Sequence, residues 1–314
     1  MKQIFLIYFL LIPLAYSDYF SHPGSKEIID ELIETYNFDE EYVNQVFKNA
    51  SKQQKIIDSI STPAEFTWTW DRYKKLFIED KRIKNGKKFI QDNLNSLERA
   101  EEEFGVPKEI IVSILGIETR YGKIMGNYRV IDSLMTLGFD YPRRADFFKD
   151  ELIKFFLLTR ENDLNIYEIK GSYAGAMGYG QFIPSSYRSY AIDFDNDGIR
   201  NIVTNPVDAI GSVANYLSKH GWEKNALIAE ALERNDVTSD FKTSLTLKDK
   251  DALELVSKSN LFDKKYLQIN FEDSEFWLGH KNLYVLSRYN RSSFYVMAVF
   301  LLSQEINYAF EVKL

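Results

Sequence analysis

The chain has 314 residues, 45% hydrophobic and 15% aromatic, with a formal net charge of −7 and no cysteine. That content is enough for two or three packed units. The acidic balance argues against nucleic acid as a main partner, because phosphate binding needs a net basic surface, and the lack of thiols excludes disulfides and lipid attachment through cysteine.

Lys2 precedes an apolar run from Ile4 to Ala15, and Ala15-Tyr16-Ser17 offers small residues where a signal peptidase reads. Residues 1–17 are therefore expected to be a cleaved secretory signal, too short for a comfortable membrane span, which leaves a soluble exported protein. Residues 18–104 form an N-terminal helical region. Apolar residues recur at helical intervals over 25–38, 39–50 and 80–104.

Residues 105–222 carry the chemistry. Pro107 suits the first turn of a helix and Gly122 its stop. Ile110, Ile111 and Ile114 mark its buried stripe, and Glu118 falls one turn beyond Ile114 on that stripe. An apolar setting and the negative end of the helix dipole both favour the protonated carboxyl, as general acid catalysis on a glycosidic oxygen requires. A helix-end Glu paired with Arg120 or Lys123 fits the same spacing. Further along, 143–160 reads as a helix opened by Arg143 and Arg144, where the dipole disfavours positive charge.

Residues 171–181 interleave Gly171, Gly175, Gly178 and Gly180 with Tyr173, Met177 and Tyr179. Flexible linkers are polar, so this apolar segment points to close backbone approach, with Ser172 and Gln181 as hydrogen-bonding groups. Asp193, Asp195, Asp197, Gly198 and Ile199 then reproduce most of an EF-hand calcium loop. Its twelfth position is Thr204 where a bidentate Glu belongs, and the next acid is Asp208, so closure needs a longer loop. The ligands expected for a structural calcium are Asp193, Asp195, Asp197, Ile199 and Asp208; an acidic surface turn is the plainer alternative. A helix over 206–219 follows.

Residues 223–287 read as a small β module, with strands near 244–247, 266–270 and 283–286. A last helix over about 292–308 returns in the C-terminal segment, 288–314.

Ile-Glu-Thr-Arg-Tyr-Gly at 117–122, Tyr-Pro-Arg-Arg-Ala at 141–145 and Gly-Ser-Tyr-Ala-Gly-Ala-Met-Gly-Tyr-Gly-Gln-Phe-Ile-Pro-Ser-Ser-Tyr at 171–187 resemble the lytic transglycosylase B family. Asp-Ala-Ile-Gly-Ser-Val-Ala-Asn-Tyr at 208–216 and Arg-Tyr-Asn-Arg-Ser-Ser-Phe-Tyr at 288–295 fit in order. The resemblance implies a mainly α (α+β) protein with a lysozyme-like helical core over 105–222, acting in the periplasm on peptidoglycan glycan strands. It implies cleavage between N-acetylmuramic acid and N-acetylglucosamine by a single acid, Glu118, with formation of 1,6-anhydromuramic ends. It also implies a cleft lined by Tyr73, Arg143, Arg144, Ser172, Gln181, Tyr216, Tyr289, Asn290 and Tyr295, the tyrosines serving as sugar platforms and hydrogen-bonding groups, and an extended calcium loop.

Ordinary glycosidases use two carboxylates. No second acid stands in the motifs around Glu118; Asp132, Asp140 and Asp146 are near in sequence without a mark of facing a cleft. A hydrolytic muramidase and a non-catalytic peptidoglycan-binding protein are the alternatives. Cell-wall synthesis proteins are further expected partners. Only three histidines occur, His22, His220 and His280, with no metal-ligand spacing, which counts against a metal-dependent hydrolase.

Overall fold

Apolar spacing sets most helices of the computed structural model, which describes residues 18–61, 68–232, 268–271 and 275–311. The expected signal, 1–17, and the expected strand at 244–247 lie outside the described residues. Helix α1 (Ser25–Glu34) turns into α2 (Glu40–Asn49), whose N-cap Asp39 accepts Tyr42 N–H at 2.8 Å. Next come α3 (Gln54–Ser61) and α4 (Trp70–Phe77), neither drawn as a helix from the sequence.

The single helix expected over 80–104 is two, α5 (Asp80–Asp92) and α6 (Leu94–Phe104). Asn93 divides them: its side chain donates to Phe89 O at 2.9 Å, a local bond that competes with the helical ladder. Gly105, at φ +71°, ends α6.

Helix α7 (Lys108–Thr119) is buried almost all round rather than along one stripe, with Ile110, Ile111, Val112, Ile114 and Leu115 all within 1% of full burial. Full burial of each such side chain contributes about 1.5–3 kcal/mol. The chain continues through β1 (Tyr128–Arg129), α8 (Val130–Asp140), a 3-10 turn at Pro142–Arg144, α9 (Ala145–Glu161) and β2 (Lys170–Gly171). Strands β1 and β2 pair antiparallel, Tyr128 opposite Gly171. After α10 (Pro184–Tyr190) and α11 (Pro206–Lys219), β3 (Ala229–Leu232), β4 (Gln268–Phe271) and β5 (Glu275–Gly279) form an antiparallel sheet in the order β3-β5-β4.

The strand expected at 283–286 is instead part of α12 (Lys281–Tyr289). Leu283 and Leu286 lie one turn apart and buried, and buried Asn282 fixes the helix start by accepting Glu223 N–H and donating to Glu223 O. The last helix, α13 (Ser293–Glu311), packs along α7, α4 and α5, making α7 the centre of the helical body.

The small sheet is bonded to that body. Glu275 on β5 accepts Trp70 Nε1–H at 3.1 Å and Lys74 Nζ at 2.7 Å, and the Trp70 ring stacks on Phe271 at 4.2 Å. Burial opposes the charge of the Glu275 carboxyl, but Lys74 and the indole N–H groups of Trp70 and Trp277 together hold it below the usual range. Among the described residues, no helix is long and apolar enough to cross a membrane.

Candidate active site

Glu118 stands in the last turn of α7, half-buried beneath α13. The helix stops earlier than Gly122 would have it: Arg120 at φ +51° is the C-cap, and Tyr121 follows at φ +63°. Left-handed backbone costs an ordinary residue about 1–2 kcal/mol, so the surroundings must hold it. Tyr121 donates to Arg82 O at 2.9 Å and stacks on Phe89. Thr119 Oγ1 accepts Gly122 N–H at 2.9 Å and lies 2.9 Å from Tyr179 O, which ties the helix end to the glycine-rich segment. The sequence reading did not single out Thr119, although it lies within the 117–122 motif.

Glu118 Oε1 accepts the Tyr295 hydroxyl at 2.7 Å. Arg120, the partner that a plain surface role would supply, donates to Glu79 at 2.8 Å. Tyr295 and Tyr289 form a stacked pair, their rings 6.4 Å apart and 9° from parallel. Burial, and after it the negative charge of Glu118, holds both phenols well above their ordinary range, so both keep their protons. Tyr289 donates its proton to Gly180 O at 2.5 Å. Tyr216 donates to Arg288 O at 2.6 Å and meets the Tyr289 ring edge-on at 4.8 Å; burial pushes its hydroxyl up to about 12.

These contacts correct the platform reading for three tyrosines. The rings of Tyr73 (2% exposed), Tyr216 (8%) and Tyr295 (2%) are packed into the interior, where a sugar cannot reach their faces. Tyr73 lies between Phe77 and Phe294, next in sequence to Tyr295. Tyr289 and Asn290 remain partly exposed, and Asn290 Oδ1 accepts Ser292 N–H as the chain enters α13.

The glycine-rich segment makes close approaches. At Gly178, φ is +70° and a Cβ would lie 2.3 Å from Ile202 O; at Gly180 a Cβ would lie 2.8 Å from the Tyr289 hydroxyl oxygen. Ser172 Oγ accepts Ala174 and Ala176 N–H, leaving its own proton to donate. The Gln181 amide nitrogen donates to Gly178 O at 2.9 Å and Met125 O at 3.2 Å. Arg143 and Arg144 are exposed on the 3-10 turn before α9, not in the helix itself, with Arg144 4.1 Å above the Phe147 ring.

The acids near Glu118 in sequence have other employment. Asp132 pairs with Arg129 at 2.7 Å, Asp140 binds Tyr19 and Lys52, and Asp146 is exposed on the first turn of α9.

Oxygens of Asp193, Asp195 and Asp197 lie within 4.8 Å of one another, a spacing that suits one cation with oxygen ligands 2.3–2.6 Å away. Gly198, at φ +93°, makes the turn, and Asp193 accepts its N–H at 2.8 Å. Asp208 departs from the predicted ligand set. Fully buried, it accepts Phe194 N–H and Asn201 N–H, each at 2.7 Å, and so clamps the two ends of the loop from behind. Ile199 is exposed, its N–H held by Asp197.

Residues 22–304 match the family described as Transglycosylase SLT domain. Over 304 residues the chain is 37% identical to membrane-bound lytic murein transglycosylase B of Escherichia coli (strain K12), spanning 92% of this chain and 84% of that protein. Catenated lytic transglycosylase SltB1 from Pseudomonas aeruginosa has a similar structure, with a TM-score of 0.85 and 44% identity over 93% of this chain and 99% of that one. The Escherichia coli lytic transglycosylase Slt35, solved in complex with calcium, gives a TM-score of 0.78 and 36% identity over 92% and 94%.

Proposed function

Since this chain belongs to the SLT-domain lytic transglycosylases and is a peptidoglycan-cleaving enzyme of that type, we propose that Glu118 is its single catalytic acid and base. The observation that carries this reading is the 2.7 Å bond from Tyr295 to Glu118 Oε1, which fixes a half-buried carboxyl at the end of α7. Glu118 gives that proton to the glycosidic oxygen as the bond from N-acetylmuramic acid C1 breaks, and N-acetylglucosamine leaves with a hydroxyl. The N-acetyl group steadies the oxocarbenium-like centre in place of a second carboxylate. The muramoyl C6 hydroxyl then bonds to C1 and returns its proton to Glu118, giving the 1,6-anhydro ring without water. Attack is favoured because the nucleophile is tethered beside the reacting carbon.

Tyr289, Asn290, Ser172, Gln181, Arg143 and Arg144 are the groups assigned to glycan binding; Tyr216, Tyr295 and Tyr73 act from beneath, fixing hydroxyls and packing. Asp193, Asp195, Asp197 and the Ile199 carbonyl would hold a calcium ion whose role is structural, a reading supported by the cluster and by the calcium complex of Slt35. No reaction step passes through it. The pattern of residues 1–17 supports export to the periplasm.

The test is mass spectrometry of soluble products after incubation with isolated peptidoglycan sacculi, beside Glu118→Gln. Anhydromuramoyl products that vanish in the variant are expected. Reducing-end products, heavier by one water, would overturn the single-acid reading.

A further inference from the structure

His220 ends α11, and a helix stop would by itself explain it. Its surroundings ask for more. The ring stacks on Tyr216 with centroids 4.1 Å apart and 28° between planes, and lies 5.0 Å from the Tyr190 ring. Its Nδ1 is 2.7 Å from Tyr216 O, an acceptor, so Nδ1 carries the proton; Nε2, 3.5 Å from the Tyr190 hydroxyl, is the unprotonated nitrogen. Tyr190 in turn packs edge-on to Tyr216 at 4.8 Å. His220 and Tyr190 thus grip the Tyr216 ring from two sides, while its hydroxyl is fixed on Arg288 O.

Tyr216 abuts Tyr289, and Tyr289 is the partly exposed tyrosine that bonds Gly180 O and stacks with Tyr295. Three aromatic contacts therefore separate His220 from the ring that donates to Glu118. We propose that His220 is a positioning residue that sets Tyr289 in the glycan cleft through Tyr216, so that its protonation at acid pH weakens glycan binding. This rests on the proposed function of the same cleft.

The sign follows from the neighbours. A second ring proton removes the Nε2 acceptor and puts a cation into a half-buried aromatic stack. The charged and titratable groups facing it are Arg288 from α12, which repels that cation, Tyr190 from α10 and Tyr216 from its own helix. Burial first, and Arg288 with it, lower the His220 pKa from its ordinary 6.5 despite the Tyr216 carbonyl. The neutral ring holds the stack, so affinity falls as pH drops through that lowered value.

Two readouts test this: KM and kcat for anhydromuramoyl release from soluble glycan strands between about pH 4.5 and 7.5, and binding of the same strands by proteins carrying Glu118→Gln. In the parent protein, KM and the dissociation constant are expected to rise severalfold toward the acid end. His220→Phe retains a stacking ring without a titratable nitrogen, and Tyr216 O still accepts His220 N–H at 3.2 Å from the backbone. It is expected to bind as the parent does at pH 7.5 and to lose the acid rise. His220→Ala is expected to raise KM at every pH with kcat little changed. An acid rise that persists in His220→Phe, or KM in folded His220→Ala equal to the parent throughout, overturns the proposal. Should the parent release no anhydro products, the functional reading fails, while the binding profile of the Glu118→Gln proteins still decides the role of His220.

Discussion

Tyr295 on α13 reaches Glu118 on α7 at 2.7 Å, joining two helices that pack side by side in the middle of the helical body. Because burial and Glu118 both keep the Tyr295 proton in place, this hydroxyl is a fixed donor to one carboxyl oxygen. Tyr295→Phe deletes it with minimal change in packing. A hydrogen bond to a charged group is worth about 1.5–3 kcal/mol, so kcat is expected to fall about 10- to 150-fold, with little change in melting temperature. Unchanged kcat in the folded variant would remove Tyr295 from the mechanism.

Gly180→Ala probes the neighbouring contact. The added methyl would sit 2.8 Å from the Tyr289 hydroxyl oxygen and must displace the donor that binds Gly180 O. Loss of about one net hydrogen bond predicts a roughly 2- to 13-fold lower kcat/KM, measured on soluble glycan strands. Gly178→Ala, strained at φ +70° and 2.3 Å from Ile202 O, is expected to show chiefly as a lower melting temperature.

Calcium is expected to raise the melting temperature, and chelation to lower it, by an amount that grows with the free ion; a hundredfold excess over the dissociation constant corresponds to about 2.7 kcal/mol. Asp193→Asn with Asp195→Asn should abolish that dependence. Asp208→Asn sets an amide against two backbone N–H donors and is expected to cost about 1–3 kcal/mol with or without the ion. Scanning calorimetry with and without chelator separates the two roles.

Glu151 supplies a pH prediction. It is 4% exposed and accepts Ser185 N–H at 2.9 Å, and burial raises its pKa above 4.5 despite that bond. A raised folded-state value means that its contribution is full below the unfolded pKa and is lost as pH rises through the folded one. Glu151→Gln, which still offers an acceptor, should therefore be more stable relative to the parent at pH 7 than at pH 4. A difference in melting temperature that is flat across that range would refute the argument.

Much of the candidate site stands out along the chain because its residues break local rules. Glu118 occupies an apolar stripe, Gly178 and Gly180 sit in an apolar segment, and three aspartates stand at alternate positions. Each is costly unless something answers it, and such conflicts are visible along the chain. What answers them was harder to read. The contacts of Tyr295 and of Tyr289 with their partners cross most of the chain, and spacing carries no such information. Helix α8 escaped the periodicity reading because Val130 through Gly138 are all buried, Asp132, Ser133 and Thr136 included, leaving no solvent-exposed face to set a period. Residues 283–286 misled because a short apolar run fits either period, and only the bonds of Asn282 to Glu223 decide for helix.

The bond between Glu118 and Tyr295 spans 177 positions. Translation proceeds from the amino end, so the acid is made long before the hydroxyl that fixes it, and no early intermediate of synthesis contains the finished pair. The geometry proposed for cleavage is therefore complete only once α13 docks, and a chain cut ahead of α13 lacks it.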